Sequence, residues 1–170
     1  MKKFLREKSI SKVPFFIMII LLTIAALEMG GATILKLGIY GAVTSGNSME
    51  KTIHDGGRVL EISSAVKSIK RGDLVSIEVY LDDEKTMILK RVIAMPGETI
   101  DIKGANVYIN GEILDEPYAY YSEAGNDGVQ GTLREDEYFV MGDNRIVSLD
   151  SRHMGPIPKD AIKSVVLKYK

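Results

Sequence analysis

The chain has 170 residues and a formal net charge of −1. That length holds one domain with a modest core, and the near-zero charge gives no argument for nucleic acid as a partner. The absence of cysteine excludes disulfides and thiol catalysis and argues against structural zinc. Two histidines, His54 and His153, are too few for most metal sites, so neither metal nor cofactor is expected.

The N-terminus is basic. Lys2, Lys3, Arg6, Lys8 and Lys12 precede an apolar run from Val13 to Leu27, and only Glu7 opposes them. The run is shorter than the roughly 20 residues that cross a hydrocarbon core. Lys12 can snorkel at one end, and uncharged Met29 to Ala32 can extend a helix at the other. The basic flank belongs on the cytoplasmic side. The expectation is a cytoplasmic segment over 1–12, a transmembrane anchor over 13–34 and an extracytoplasmic domain over 35–170, with the lipid bilayer as a partner. The other reading is a cleaved secretory signal. Ala25-Ala26-Leu27 is a poor cleavage site for it, although Gly30-Gly31-Ala32 is better. A mildly apolar stretch from Ala32 to Val43 then leads to Ser48. Whether it prolongs the helix, lies on the bilayer or begins a sheet is open.

From Ile39 onward the pattern is strand-like. Arg58 to Ile62, Leu74 to Tyr80 and Asn106 to Ile109 alternate apolar and polar residues. Met87 to Met95 is a longer apolar run broken by Lys90-Arg91. Tyr138 to Met141 and Ser164 to Tyr169 read as further strands. Asp55-Gly56-Gly57, Arg71-Gly72-Asp73, Met95-Pro96-Gly97-Glu98 and Asn110-Gly111 supply the turns. Ser122 to Asp136, rich in Gly, Asn, Asp and Glu, reads as a mobile surface loop. No long amphipathic helix follows the first segment. The predicted fold is mostly β, a small antiparallel sandwich or barrel-like domain.

Three segments carry chemistry. Ser48 follows the flexible Gly46-Asn47 and precedes Met49. A serine hydroxyl is a weak nucleophile until a base takes its proton. Lysine can be that base when neutral. At a pKa of about 10.4 only about 0.04% is neutral at pH 7, and burial that lowers it to roughly 8 raises this to about 10%, a shift of about 3 kcal/mol. Lys90 suits the role, with Met87-Ile88-Leu89 before it and Val92-Ile93-Ala94 after Arg91. In a strand Lys90 and Arg91 point to opposite faces. The third segment, Met141 to Arg152, sets Asp143, Asn144, Arg145, Ser148, Asp150, Ser151 and Arg152 beside Gly142. Two carboxylates and two arginines can pair there, and the shorter groups can orient neighbours. It could equally be a hydrogen-bonded turn that closes the sheet.

Together these segments resemble the boxes of the type I signal peptidases, family S26, of the short Gram-positive-like kind with one N-terminal anchor. Ser48-Met49-Glu50-Lys51-Thr52 resembles the nucleophile box, with Lys51 where proline is usual. Lys90-Arg91-Val92-Ile93-Ala94-Met95-Pro96-Gly97-Glu98 resembles the lysine box, with Ala94 for a usual glycine and Glu98 for a usual aspartate. Gly142 to Arg152 matches the last box. Arg71 to Val75, Val107 to Gly111 and Asp115 to Tyr118 are also family-like. The resemblance implies a membrane-anchored serine endopeptidase that removes signal peptides from secreted precursors through an acyl-enzyme. By it, Ser48 is the nucleophile, Lys90 the general base, and Ser148 hydrogen-bonds Lys90. Asp150 pairs with Arg152 and with Arg91, and Asp143, Asn144 and Arg145 shape the loop. The Ser48 N–H meets the oxyanion. The second donor is unassigned, because Gly46 stands where some members have serine. Substrate would add as a strand, with Met49, Ile53 and Leu89 as walls of shallow pockets for small side chains.

Several other readings compete. Ser48-Met49-Glu50-Lys51 also spells the S-x-x-K motif of penicillin-binding acyltransferases, but Thr52 to Gly57 is a poor helix and no Lys-Thr-Gly strand follows. A Ser-His-Asp triad would need His54 or His153. Self-cleaving SOS-type repressors share the serine-lysine logic, but this chain has no DNA-binding segment. The alternative of another class is a noncatalytic, signal-peptidase-like assembly factor that binds secreted subunits, with a dedicated client such as a pilin.

Overall fold

The computed structural model describes residues 38–120 and 128–170. The expected basic segment at 1–12 and anchor at 13–34 lie outside them, as does part of the loop expected from Ser122. Among the described residues no helix is long and apolar enough to cross a membrane.

The described residues form eleven strands in order: β1 Ile39–Val43, β2 Arg58–Ser63, β3 Leu74–Leu81, β4 Glu84–Ala94, β5 Thr99–Lys103, β6 Asn106–Ile109, β7 Glu112–Ile113, β8 Val129–Thr132, β9 Glu137–Met141, β10 Ile157–Pro158 and β11 Ile162–Tyr169. One helical turn, α1, covers Ser151–Met154, and a 3-10 turn covers Lys159–Ala161. The strands form a seven-stranded sheet in the order β1-β2-β11-β3-β4-β9-β10 and a four-stranded sheet in the order β7-β6-β5-β8. Every strand pairing is antiparallel. The chain is thus mostly β, as its alternating patterns predict.

Alternation explains which residues are inside. Successive side chains of a strand face opposite ways, so Val59 and Glu61 share one face of β2, and both are buried. Ile100 and Ile102 likewise share the buried face of β5. One core, with Val75, Ile77, Val92, Val140 and Val165, lies on the large sheet. A second joins Ile93, Phe139 and Met141 to Ile100, Ile102 and Val107 of the small sheet. A third, small cluster of Met49, Ile53, Val59 and Leu74 sits beneath the loop that follows β1.

Ile39–Val43 is a strand paired with β2, in line with the strand-like pattern from Ile39 onward. Two elements depart from expectation. The β4 strand begins at Glu84, three residues before the apolar run. The segment expected as a loop to Asp136 contains β8, paired with β5 over Val129 to Thr132, followed by buried Leu133. This is an edge strand whose side chains are mostly exposed, so it needs little apolar pattern and tolerates Gly131.

Candidate active site

The turn after β1 carries Ser48. Glu50 N–H donates to the Asn47 carbonyl at 3.2 Å, and Ile53 N–H to the Met49 carbonyl at 2.8 Å. Gly46, at φ +91°, lets the chain enter that turn, and its N–H donates to Asp55 at 2.8 Å. Met49 and Ile53 are buried below and fix the turn to the sheet.

Lys90 reaches this turn from β4. Its Nζ lies 2.9 Å from Ser48 Oγ and donates to the Leu89 carbonyl at 2.9 Å. The side chain is only 3% exposed. Burial pushes its ammonium down to about 8, against the opposing pull of the Asp150 carboxylate. About a tenth of the molecules then hold Lys90 neutral at pH 7.

The loop after β9 forms the wall behind the pair. Asp150, fully buried, caps α1 and accepts from Arg152 Nε at 2.8 Å and Nη2 at 2.9 Å, and from the Gly142 N–H at 2.9 Å. Burial opposes its ionisation, but Arg152 and the Gly142 amide outweigh that and leave its carboxyl below the ordinary value. Asn144 ties the backbone of the Ser48 turn, its N–H donating to the Ser48 carbonyl at 3.0 Å and its side chain to the Asn47 carbonyl at 3.1 Å. Arg145 is held by Glu116 at 2.6 Å and by the Gly142 carbonyl at 2.9 Å.

Two expected partnerships are different. Arg91 does not meet Asp150. It grips Asp143 with two bonds, Nε at 2.8 Å and Nη2 at 2.6 Å, and stacks on Tyr118 at 4.0 Å. The register decides this: Arg91 sits opposite Met141 on β9, and Asp143 follows two residues on, while Asp150 is already taken by Arg152. Ser148 makes no hydrogen bond to Lys90. Its buried hydroxyl has no partner of ordinary geometry, although it lies close enough to help hold Asp150 ionised.

Gly142 is where the loop and the nucleophile turn come closest. A Cβ there would collide with the Ser148 side chain and the Ser48 carbonyl oxygen. Gly142→Ala is therefore expected to cost about 2–3 kcal/mol by overpacking and to displace Ser48 from Lys90. Thermal unfolding and a crystal structure of the variant check the two effects.

The competing bases are placed elsewhere. The Lys51 ammonium lies over the Tyr120 ring at 4.0 Å. His54 pairs with Glu50 at 3.0 Å on the surface, and His153 is exposed.

A family model described as signal peptidase, peptidase S26, matches residues 13–168. The chain belongs to the signal peptidase family, peptidase S26. It is similar to signal peptidase I V of Bacillus subtilis (strain 168), at 36% identity over 136 residues, 71% of this chain and 79% of that one. It is also similar to signal peptidase I of Bacillus amyloliquefaciens, at 41% identity over 123 residues, 65% of this chain and 64% of that one. A solved signal peptidase I from Enterococcus faecalis V583 aligns at 30% identity with a TM-score of 0.48, covering 58% of this chain and 97% of that chain.

Within this signal peptidase the departure at Lys51 has a structural reading. Lys51 adopts φ +72°, a left-handed conformation that proline, fixed near −65°, cannot take. Its ammonium on Tyr120 joins the nucleophile turn to a residue whose N–H donates to the Asp143 carbonyl at 2.7 Å. Lys51→Pro should therefore cost about 3 kcal/mol. Lys51→Gly should be near neutral, because relief of about 1 kcal/mol of left-handed strain offsets a cation–π contact of similar size. Urea unfolding of the two variants checks the contrast.

Sequence reasoning marked Glu116 and Tyr118 as family-like without giving them a role and passed over Tyr120; Glu116 pairs with Arg145, Tyr118 stacks on Arg91, and Tyr120 N–H donates to the Asp143 carbonyl. It also passed over Glu61, which lines the cleft beside Ser48. Glu61 was legible from alternation, since it shares a face with Val59.

Proposed function

We propose that this chain removes signal peptides from secreted precursor proteins as a serine endopeptidase, with Ser48 as nucleophile and Lys90 as general base. The single observation behind the dyad is the 2.9 Å approach of a buried lysine amine to a serine hydroxyl. Neutral Lys90 takes the Ser48 proton as Oγ attacks the scissile carbonyl carbon. The oxyanion meets the Ser48 N–H, which donates to no group among the described residues, so it is free to stabilise developing charge. Lys90, now an ammonium, returns the proton to the leaving amine. It then takes a proton from the water that hydrolyses the Ser48 ester. Asp150 steadies the cation formed at each step through its charge, while Arg152 keeps Asp150 from pairing with Lys90 outright.

Ser48 and Lys90 open onto a cleft of about 420 Å³, with Met49, Ile53 and Leu89 among its walls. An extended peptide laid along it would present every second side chain to those walls. Small side chains before the scissile bond suit a cleft this closely walled. The basic N-terminus and the apolar run from Val13 to Leu27 support a single-pass anchor with the catalytic domain outside the cytoplasm.

The test is cleavage of a synthetic signal peptide with an Ala-x-Ala site by the detergent-solubilised full chain. Cleavage after the last alanine is expected, with a loss of at least about a thousandfold in Ser48→Ala. A folded wild type that binds the peptide and never cuts it would overturn the peptidase in favour of an assembly factor for clients such as pilins.

A further inference from the structure

Beyond the wall that carries Asp150 lies a second cavity, of about 260 Å³, between the edge strand β8 and the turn at Gly155-Pro156. It shares no residue with the cleft that holds Ser48 and Lys90. Its floor is apolar: Ile100, Leu133 and Phe139 are each at most 4% exposed. Among the described residues Arg152 is the one charged group on its walls.

The cavity exists because β8 has a glycine on its inner face. Alternation puts Val129, Gly131 and Leu133 on one side of the chain, and the register sets Gly131 opposite buried Ile100 of β5. Nothing in the fold requires glycine there. The pairing with β5 runs without a bulge, Gly131 is not among the glycines with positive φ, and a Cβ would meet no atom within 4 Å. A valine would cover the apolar floor and suit a strand better. A strand glycine that neither a bulge nor a close packing contact explains marks a place where a ligand comes near.

The second observation is independent of the first. Arg152 commits its Nε and Nη2 edge to Asp150. Nη1 lies on the other edge of the planar group, buried and without an acceptor, on a side chain that is 2% exposed. Ser151 stands on the same cavity wall. Its hydroxyl oxygen accepts from the Val140 N–H at 3.0 Å, and its own proton goes to no group among the described residues. Two unused donors, one of them cationic, beside an apolar floor call for an acceptor that carries negative charge on an apolar body.

We propose that this notch binds an aliphatic carboxylate, its hydrocarbon over Ile100 and its oxygens on Arg152 Nη1 and the Ser151 hydroxyl. The volume is just under the roughly 300 Å³ at which pockets for drug-sized ligands begin, so the bound group is small. A free short-chain acid has this chemistry. So has the last residue of a peptide laid along the outer edge of β8, which is paired on one side only. The site does not depend on whether Ser48 and Lys90 cleave peptides.

The experiment titrates the full chain in lipid nanodiscs with isovalerate, with isovaleramide, and with acetyl-Thr-Val-Thr-Leu carrying a free or an amidated C-terminus. Saturation-transfer NMR reads binding above that to empty nanodiscs. The expected result is millimolar binding of the carboxylates, binding of both amides at least fivefold weaker, and NOEs from the ligand methyls to those of Ile100 and Leu133. Tighter binding of the peptide acid assigns the site to peptide C-termini, and tighter binding of isovalerate assigns it to small acids. Gly131→Val should fill the notch, lose at least tenfold in affinity and unfold at no lower temperature than wild type. No binding of either carboxylate at about 20 mM, or binding that amidation and Gly131→Val leave within twofold, overturns the site. If Gly131→Val unfolds early, the NOEs and the acid-to-amide ratio in the wild type decide in its place.

Discussion

Lys90→Met is expected to abolish cleavage and, at pH 7, to make the folded chain more stable. Methionine fills the same buried channel without a charge to desolvate, while the proposed base for the Ser48 proton is removed. The gain follows from the depressed ammonium. Below about pH 8 the folded and unfolded chains both carry the Lys90 proton, and the folded one bears the full cost of burying it. Between about 8 and the ordinary 10.5 the unfolded chain keeps a proton that the folded chain has lost, so stability rises with pH. Above that window the cost is gone. The wild type should gain on the order of 3 kcal/mol across it relative to Lys90→Met. Loss of the contacts to Ser48 and the Leu89 carbonyl reduces the advantage of methionine to roughly 1–3 kcal/mol at pH 7. Urea unfolding of both proteins from pH 7 to 10 measures this.

The same ionisation governs rate. In the proposed dyad only neutral Lys90 acts as base, so kcat/KM should rise about tenfold per unit toward an apparent pKa of about 8 and level off above it. A flat profile from pH 6 to 9 would exclude Lys90 as the base. A bound peptide covers the cleft and removes more water, which lowers the apparent value for kcat further.

Asp143→Ala is expected to be the most destabilising change in the wall, by about 3–5 kcal/mol. Asp143 is fully buried, holds Arg91 through two bonds and accepts from Thr52 in the nucleophile turn. Its removal leaves the Arg91 guanidinium, whose side chain is 12% exposed, without its countercharge. It also releases the turn that carries Ser48. Thermal unfolding should register the loss. The double variant Asp143→Ala with Arg91→Met should recover part of it, because no orphaned charge then remains.

Much of the fold was readable in advance where burial follows one period. Arg58 to Ser63 alternates because one face packs on the core and the other is more exposed, a pattern with a single strand reading, whereas Leu74 to Ile77 is buried on both faces. Val129 to Thr132 lacks it, since an edge strand is held by backbone bonds to β5 and few of its side chains are buried. At the site, the reactive types and their apolar surroundings were legible: the hydroxyl of Ser48, and a lysine flanked by Ile88, Leu89 and Val92. The pairing of Arg91 was not. Either Asp143 or Asp150 could have served, and only the register of β4 against β9 together with the helical cap at Asp150 assigns one arginine to each.

The sequence by itself determined the chemistry on offer: no thiol, two histidines, one serine in a glycine-led turn and one lysine in an apolar strand. It also determined the signal peptidase family, because box residues such as Ser48, Lys90 and Gly142 to Arg152 are local patterns. The tertiary structure decided what no local pattern contains. It brought Ser48 and Lys90, 42 residues apart, to 2.9 Å, buried the lysine enough to bring its ammonium near 8, and turned Glu61 into the cleft. Each of these depends on which strands lie side by side, and that is set by the packing of the whole sheet rather than by any one segment.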